Sequence, residues 1–299
     1  MRNITYIFVY VRDLSTSRAF YEKKLGLRVL EEDEGCAKYD VGTVILALNL
    51  AADSSGDVHP DDTSMIVFHV DDIDLMRHSL EGRGVLFSGN TSRYEIGATA
   101  TFYDPDGHCF CLYQPSAESM TWPSGDKLQF SLNTYRLPDQ SSGDLQVSAI
   151  GGASADLRGH VITYLFLFIG DVEESARFYE EKMGLTCLER EPEAGVVKYD
   201  VGGFMLATHL VESEPTVRAR NEDLIRKRGI APVFQVPQFE AAHDVLQSRG
   251  IKFKGQPVTS AIGRVILFTD PSGHIFYLYE ASQDAMTWPS GKKLAQLAG

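Results

Sequence analysis

The chain has 299 residues, 43% of them hydrophobic, with 28 basic against 41 acidic residues and a formal net charge of −13. This length predicts two domains of ordinary globular composition, and the acidic balance, with no cluster of Lys or Arg, speaks against nucleic acid or anionic lipid as a partner. No apolar run reaches the roughly 18 residues of a membrane span, and Cys36, Cys109, Cys111 and Cys187 show neither a disulfide framework nor a zinc spacing, so a cytoplasmic protein with reduced thiols is expected.

The first predicted strand is TYIFVYV, followed by Asp13 as a helix cap and the helix LSTSRAFYEKKLG, whose Phe20 and Leu25 face the core and whose Gly26 ends it. KYDVGTVILALNL closes this unit with short strands. A second unit opens at SMIVFHV, continues through Asp71 or Asp72 into the helix DLMRHSLEGRG, and ends in TATFYDPDGHCFCLY, where DPDG marks a hairpin turn. Each unit reads βαβββ. Residues 126–159 are rich in Gly, Ser and Asp without apolar periodicity and read as a linker.

The pattern then repeats. ITYIFVYVRDLSTSRAFYEKKLGLRVLE from Ile4 returns as ITYLFLFIGDVEESARFYEEKMGLTCLE from Ile162, KYDVG at Lys38 returns at Lys198, and FYDPDGHCFCLYQ at Phe102 returns as FTDPSGHIFYLYE at Phe268. SMTWPSGDKL likewise returns as AMTWPSGKKL. The chain is therefore a duplication of α+β class: a domain at 1–125, the linker, a second domain at 160–291 and a tail at 292–299, with four βαβββ units in all.

The strand followed by (R/G)D(L/V)xxSxxFYxxxLGL near the start of each half, with DPDGHxxxLY or DPSGHxxxLY near its end, resembles the vicinal oxygen chelate superfamily. This superfamily includes glyoxalase I, extradiol dioxygenases, epimerases, fosfomycin-modifying enzymes and bleomycin resistance proteins. The resemblance implies paired βαβββ units whose sheets curl into two half-open barrels, or cups, around a metal or a ligand. It also implies where metal donors would stand: at Tyr6 and Tyr164, Met65 and Ala231, Cys111 and Tyr277, Ile45 and Met205. None of these is His, Asp or Glu, so no metal and no cofactor is expected.

The inward faces of the strands instead read as aromatic linings. Half one offers Tyr6, Phe8, Tyr10, Asn49, Met65, His69, Cys111 and Tyr113; half two offers Tyr164, Phe166, Phe168, Met205, His209, Gln235, Tyr277 and Tyr279. Such surfaces suit a flat, weakly polar small molecule, although bulky side chains can equally fill a cup, and one filled cup is expected. His108 and His274, after the turn glycine of each half, suggest a shared structural hydrogen bond; Trp122 and Trp288 suggest packing between halves; His59, His78, His160 and His243 carry no signal. Two functions remain open. One is metal-independent binding of an aromatic or amphipathic molecule, as in bleomycin resistance proteins. The other is an enzyme, either a metal-free lyase or isomerase using Tyr6, His69, Tyr164 or Tyr277 as acid or base, or a dioxygenase or glyoxalase with a displaced metal. Either a monomer, completed by its own duplication, or a homodimer fits.

Overall fold

A computed structural model describes residues 3–51, 63–136, 155–211 and 229–298. Unit one holds β1 (Ile4–Val11), α1 (Leu14–Arg18), β2 (Arg28–Glu32), β3 (Cys36–Asp40) and β4 (Ile45–Leu50). Unit two holds β5 (Ser64–His69), α2 (Ile73–Gly82), β6 (Phe87–Tyr94), β7 (Gly97–Tyr103) and β8 (Cys109–Pro115), and is followed by α3 (Pro123–Tyr135). Unit three repeats the first as β9 (Ile162–Ile169), α4 (Val172–Arg177), β10 (Thr186–Glu191), β11 (Val196–Asp200) and β12 (Met205–Leu210). Unit four repeats the second as β13 (Ile230–Gln235), α5 (Phe239–Ser248), β14 (Phe253–Ser260), β15 (Gly263–Thr269) and β16 (Ile275–Ala281), followed by α6 (Pro289–Ala298).

The helices begin where their caps dictate. The carboxylates of Asp13, Asp72 and Asp171 accept from the backbone N–H three residues on, at 2.6, 2.9 and 2.8 Å. α1 and α4 each widen into a π-helical turn, Ala19–Lys24 and Phe178–Lys182, so that Leu25 N–H bonds the Phe20 carbonyl and Met183 N–H that of Phe178. That turn aims the second residue of each FY pair at the DPDG or DPSG turn of the same half. Tyr21 donates to Asp104 at 2.7 Å and Tyr179 to Asp270 at 2.7 Å, while the ring Nδ1 of His108 and of His274 sits 2.9 and 2.8 Å from the same carboxylates. The repeated His is thus part of a buried Tyr–Asp–His bridge joining the two motifs of its half.

The sheets are shared the other way, across the halves. One runs β14-β15-β16-β13-β1-β4-β3-β2 and the other β10-β11-β12-β9-β5-β8-β7-β6. Antiparallel β1 and β13 pair Phe8 with Ala231, and antiparallel β5 and β9 pair Met65 with Phe166. Units one and four therefore form one half-open barrel, the outer-unit cup, and units two and three form the inner-unit cup. Along each strand alternate residues divide: Ile7, Val9, Ile66, Phe68, Leu165 and Leu167 enter one continuous core with the helices, whereas Tyr6, Phe8, Val67 and Tyr164 line the cups.

Two stretches differ from the sequence reading. The linker expected at 126–159 is helical as far as Tyr135, and 137–154 lie outside the described residues; of the tail expected at 292–299, residues 292–298 belong to α6 and 299 lies outside the described residues. The repeated MTWPSG explains both, since Pro starts a helix well at its first position and the apolar faces that follow, Leu128 and Leu294 with Leu297, are buried over the cups. His59 is also outside the described residues. Among those described, no helix is long and apolar enough to cross a membrane.

Candidate functional site

The inner-unit cup contains a cavity of about 410 Å³. Its floor is laid down by register. Tyr164 pairs with Met205 and Val67, and Val67 with Cys111, so four side chains cross the sheet in one row; a parallel row runs Lys198, Ala207, Phe166, Met65 and Cys109. A third row, Glu191, Val196, His209 and Phe168, forms one wall. Over the top lies α3, with Trp122, Ser124, Gly125 and Leu128 on the cavity, while the β6–β7 hairpin contributes Tyr94, Ile96 and Thr99.

Glycine is required where the cap helix starts, because a Cβ on Gly125 would come within 2.5 Å of the Ser119 carbonyl oxygen. The helix is then pinned to the opposite half. Ser124 N–H donates to Glu189 Oε2 at 3.1 Å, and Lys198 Nζ donates to Ser124 Oγ at 3.2 Å, Glu189 Oε1 at 3.1 Å and Glu191 Oε1 at 2.7 Å. The same ammonium lies 5.4 Å from the Trp122 ring and 5.9 Å from that of Tyr164. Burial works against ionising Glu189, but its bonds to Ser124 and Lys198 outweigh it and hold the carboxyl below the usual range. The outer-unit cup repeats the device with Lys38, Glu31 and Ser290, whose N–H reaches Glu31 at 3.1 Å, and Lys38 lies over Trp288. Both tryptophans therefore meet a lysine of the other half, and Trp122 lines the cavity as well.

Aromatic side chains pack against one another in the outer-unit cup, where Phe8, Tyr10 and Tyr277 stay half-buried. Tyr6 packs on Phe8 and Tyr279, Phe8 on Tyr10 and Tyr277, with ring centroids 5.6 to 6.4 Å apart, and the Tyr10 and Tyr277 hydroxyls are hydrogen-bonded at 3.0 Å. Leu294 and Leu297 of α6 close it. Asn49 donates to the carbonyl of Ala47, and Gln235 Oε1 is buried.

Of the residues singled out from sequence, Met65, Cys111, Tyr113, Tyr164, Phe166 and His209 are brought onto the one cavity. Phe168 flanks His209 at 5.9 Å, Met205 is fully buried in the floor, and His69 is buried with its carbonyl bonded by His160. Tyr6, Phe8, Tyr10, Asn49, Gln235, Tyr277 and Tyr279 lie in the other cup. Tyr94, Ile96, Thr99, Ser124, Glu191, Val196 and Lys198 were not singled out, although the duplicated KYDVG and MTWPSG strings contained two of them.

Burial shifts several of the groups that could move a proton. Burial pushes the Tyr113 hydroxyl and the Cys111 thiol up to about 12, raises Tyr164 well above a normal phenol, and pushes His69 down to about 4. Tyr6 in the other cup is likewise pushed up to about 12 by burial. The metal positions implied by the fold lie at Tyr6, Ile45, Ala231 and Tyr277 in one cup and Tyr164, Met205, Met65 and Cys111 in the other. A floor of phenol, thioether, alkyl groups and a protonated thiol does not fit a catalytic divalent cation, and among the described residues no three His, Cys, Asp or Glu side chains form a metal-binding group.

A model of the family described as Glyoxalase/Bleomycin resistance protein/Dioxygenase superfamily matches residues 3–112 and 159–278. Metallothiol transferase FosB of Lysinibacillus sphaericus is 31% identical over 113 residues, 37% of this chain and 80% of that protein; FosB of Bacillus licheniformis is 29% identical over 133 residues, 44% and 82% respectively. Glyoxalase I from Zea mays superposes with a TM-score of 0.63 at 14% identity, covering 99% of this chain and 95% of that one, a likeness of fold.

Proposed function

The chain belongs to the Glyoxalase/Bleomycin resistance protein/Dioxygenase superfamily, and from that premise we propose that it binds a small aromatic or amphipathic molecule in the inner-unit cup without a metal or other cofactor. The observation that carries this reading is the 410 Å³ cavity walled by Tyr94, Tyr113, Trp122, Tyr164 and Phe166 over a floor of Met65, Val67 and Cys111. Rings and apolar groups of this kind hold a planar molecule by stacking and area burial. The metallothiol transferase activity named for the FosB relatives calls for metal donors that this floor does not offer. A metal-free acid–base enzyme would rest on Tyr164 or His69, and burial disfavours the charged form of each. One chain supplies all the described strands of both cups, so neither sheet needs a second chain to complete it.

Titration calorimetry with 2-naphthol, with and without EDTA, tests the reading on the wild-type protein and on Cys111→Tyr. One molecule bound per chain, unchanged by chelator and lost in the variant, is expected. Binding that requires a stoichiometric divalent metal, or that survives Cys111→Tyr, would overturn it.

A further inference from the structure

The polar groups of the inner-unit cup limit what its occupant can be. The Lys198 ammonium has three N–H donors, and Ser124, Glu189 and Glu191 take all three. The Tyr113 hydroxyl donates to the Ile96 carbonyl at 2.8 Å. The Glu191–Val196–His209 row keeps acceptor capacity for a guest at both of its ends. Glu191 lines the cavity and uses one oxygen on Lys198; two strands away, beyond Val196, His209 lines it too, its ring centroid 6.4 and 5.9 Å from those of Phe166 and Phe168 and its nitrogens without a hydrogen-bond partner among the described residues. Two carboxylates against one ammonium leave the cup with one net negative charge, and the chain as a whole carries −13.

Resting on the reading of this cup as a binding site, we propose that its ligand is an uncharged planar aromatic bearing a hydroxyl or N–H donor, and that this donor faces the Glu191–Val196–His209 wall, where His209 accepts it. Burial lowers the imidazole's proton affinity, with Glu191 opposing, and in the neutral ring one nitrogen offers a lone pair while the other keeps its N–H. An anionic ligand meets Glu191 with no free cation to answer it, and an aromatic without a donor leaves the acceptors unmatched in an apolar cup, which costs affinity.

Three probes of one shape separate these cases in calorimetric titrations of the full chain: 2-naphthol, 2-methoxynaphthalene and 2-naphthoate. The expected order is naphthol about tenfold tighter than the methyl ether, the worth of one net hydrogen bond, and naphthoate weakest. His209→Leu brings naphthol to the level of the ether, and Glu191→Gln strengthens naphthoate. Equal binding of naphthol and ether, or tightest binding of naphthoate, overturns this proposal and leaves the cup as a binding site. Failure of all three probes overturns the binding reading itself, and this proposal with it.

Discussion

The two cups start from one repeated strand pattern and part at a few aligned positions. Tyr277 of the outer-unit cup corresponds to Cys111 of the inner, Tyr10 to Phe168, Ala231 to Met65, Asn49 to His209 and Gln235 to His69. Tyr277 packs on Phe8 and bonds Tyr10; Cys111 ends after one sulfur and lines the cavity. The same frame thus presents a ring at one of these paired positions and a thiol at the other. Its anchoring is untouched by that exchange, because the lysine, glutamate and serine that pin the cap helix are present in both.

The most direct way to break the contrast is to erase it. Cys111→Tyr gives the inner-unit cup the ring of its counterpart, and aromatic probes should lose affinity by about 100-fold or more while the fold persists, since the other cup accommodates that ring. Calorimetry with circular dichroism on the same sample measures both. Retained affinity would mean that the cavity is not where the molecule sits.

The anchor sharpens the comparison by being shared. Lys198→Met leaves Glu189 and Glu191 without their buried partner, at a cost of about 3–5 kcal/mol, and Lys38→Met strands Glu31 in the same way. Thermal and urea unfolding should show both variants destabilised, whereas probe binding by the surviving folded protein should change only for Lys198→Met. Loss of probe binding in both would argue that the cups are coupled.

Removing the outer ring is the converse. Tyr277→Cys removes the ring from between Phe8 and Tyr10, for a loss of about 2–4 kcal/mol, in the range of other large-to-small core changes. A second probe molecule per chain is the expected gain. If stoichiometry stays at one, Tyr6 and Phe8 relax into the gap and the difference between the cups has more than one cause.

The fold was legible because its signals are local and duplicated. Asp13, Asp171 and the glycines at 26 and 184 delimit helices by hydrogen bonding and positive φ, and strand alternation assigned Tyr6, Phe8, Tyr164 and Phe166 to the concave face. The partnership of units was not legible, because β1 could pair with β5 or β13 with equal apolar complementarity. The cap helices were missed for a related reason: Leu128 and Leu294 show a meaningful apolar face only once there is a cup beneath them. Glu191 and Lys198 escaped notice because charged residues on short strands ordinarily face water; only the paired chain places them at a cavity wall.

The smallest expected difference is one of pH. The inner-unit side carries imidazoles at His69 and His209 where the outer carries Gln235 and Asn49, which do not titrate. Burial is the main cause that holds His69 down to about 4, with Arg136 and His160 adding to it and Asp71 opposing. In the unfolded chain the ring titrates near 6.5, so between these values the unfolded state binds the extra proton. The stability owed to a neutral His69 is complete above about pH 6.5 and is lost as pH falls towards 4, reaching about 2 kcal/mol at pH 5. Chemical denaturation of the wild type at pH 7.5 and 5.0, compared with His69→Gln, isolates this contribution, and the variant should lose less stability over the interval. An equal loss in both proteins would place the acid sensitivity elsewhere, and would remove the titrating imidazole from the list of differences between the two cups.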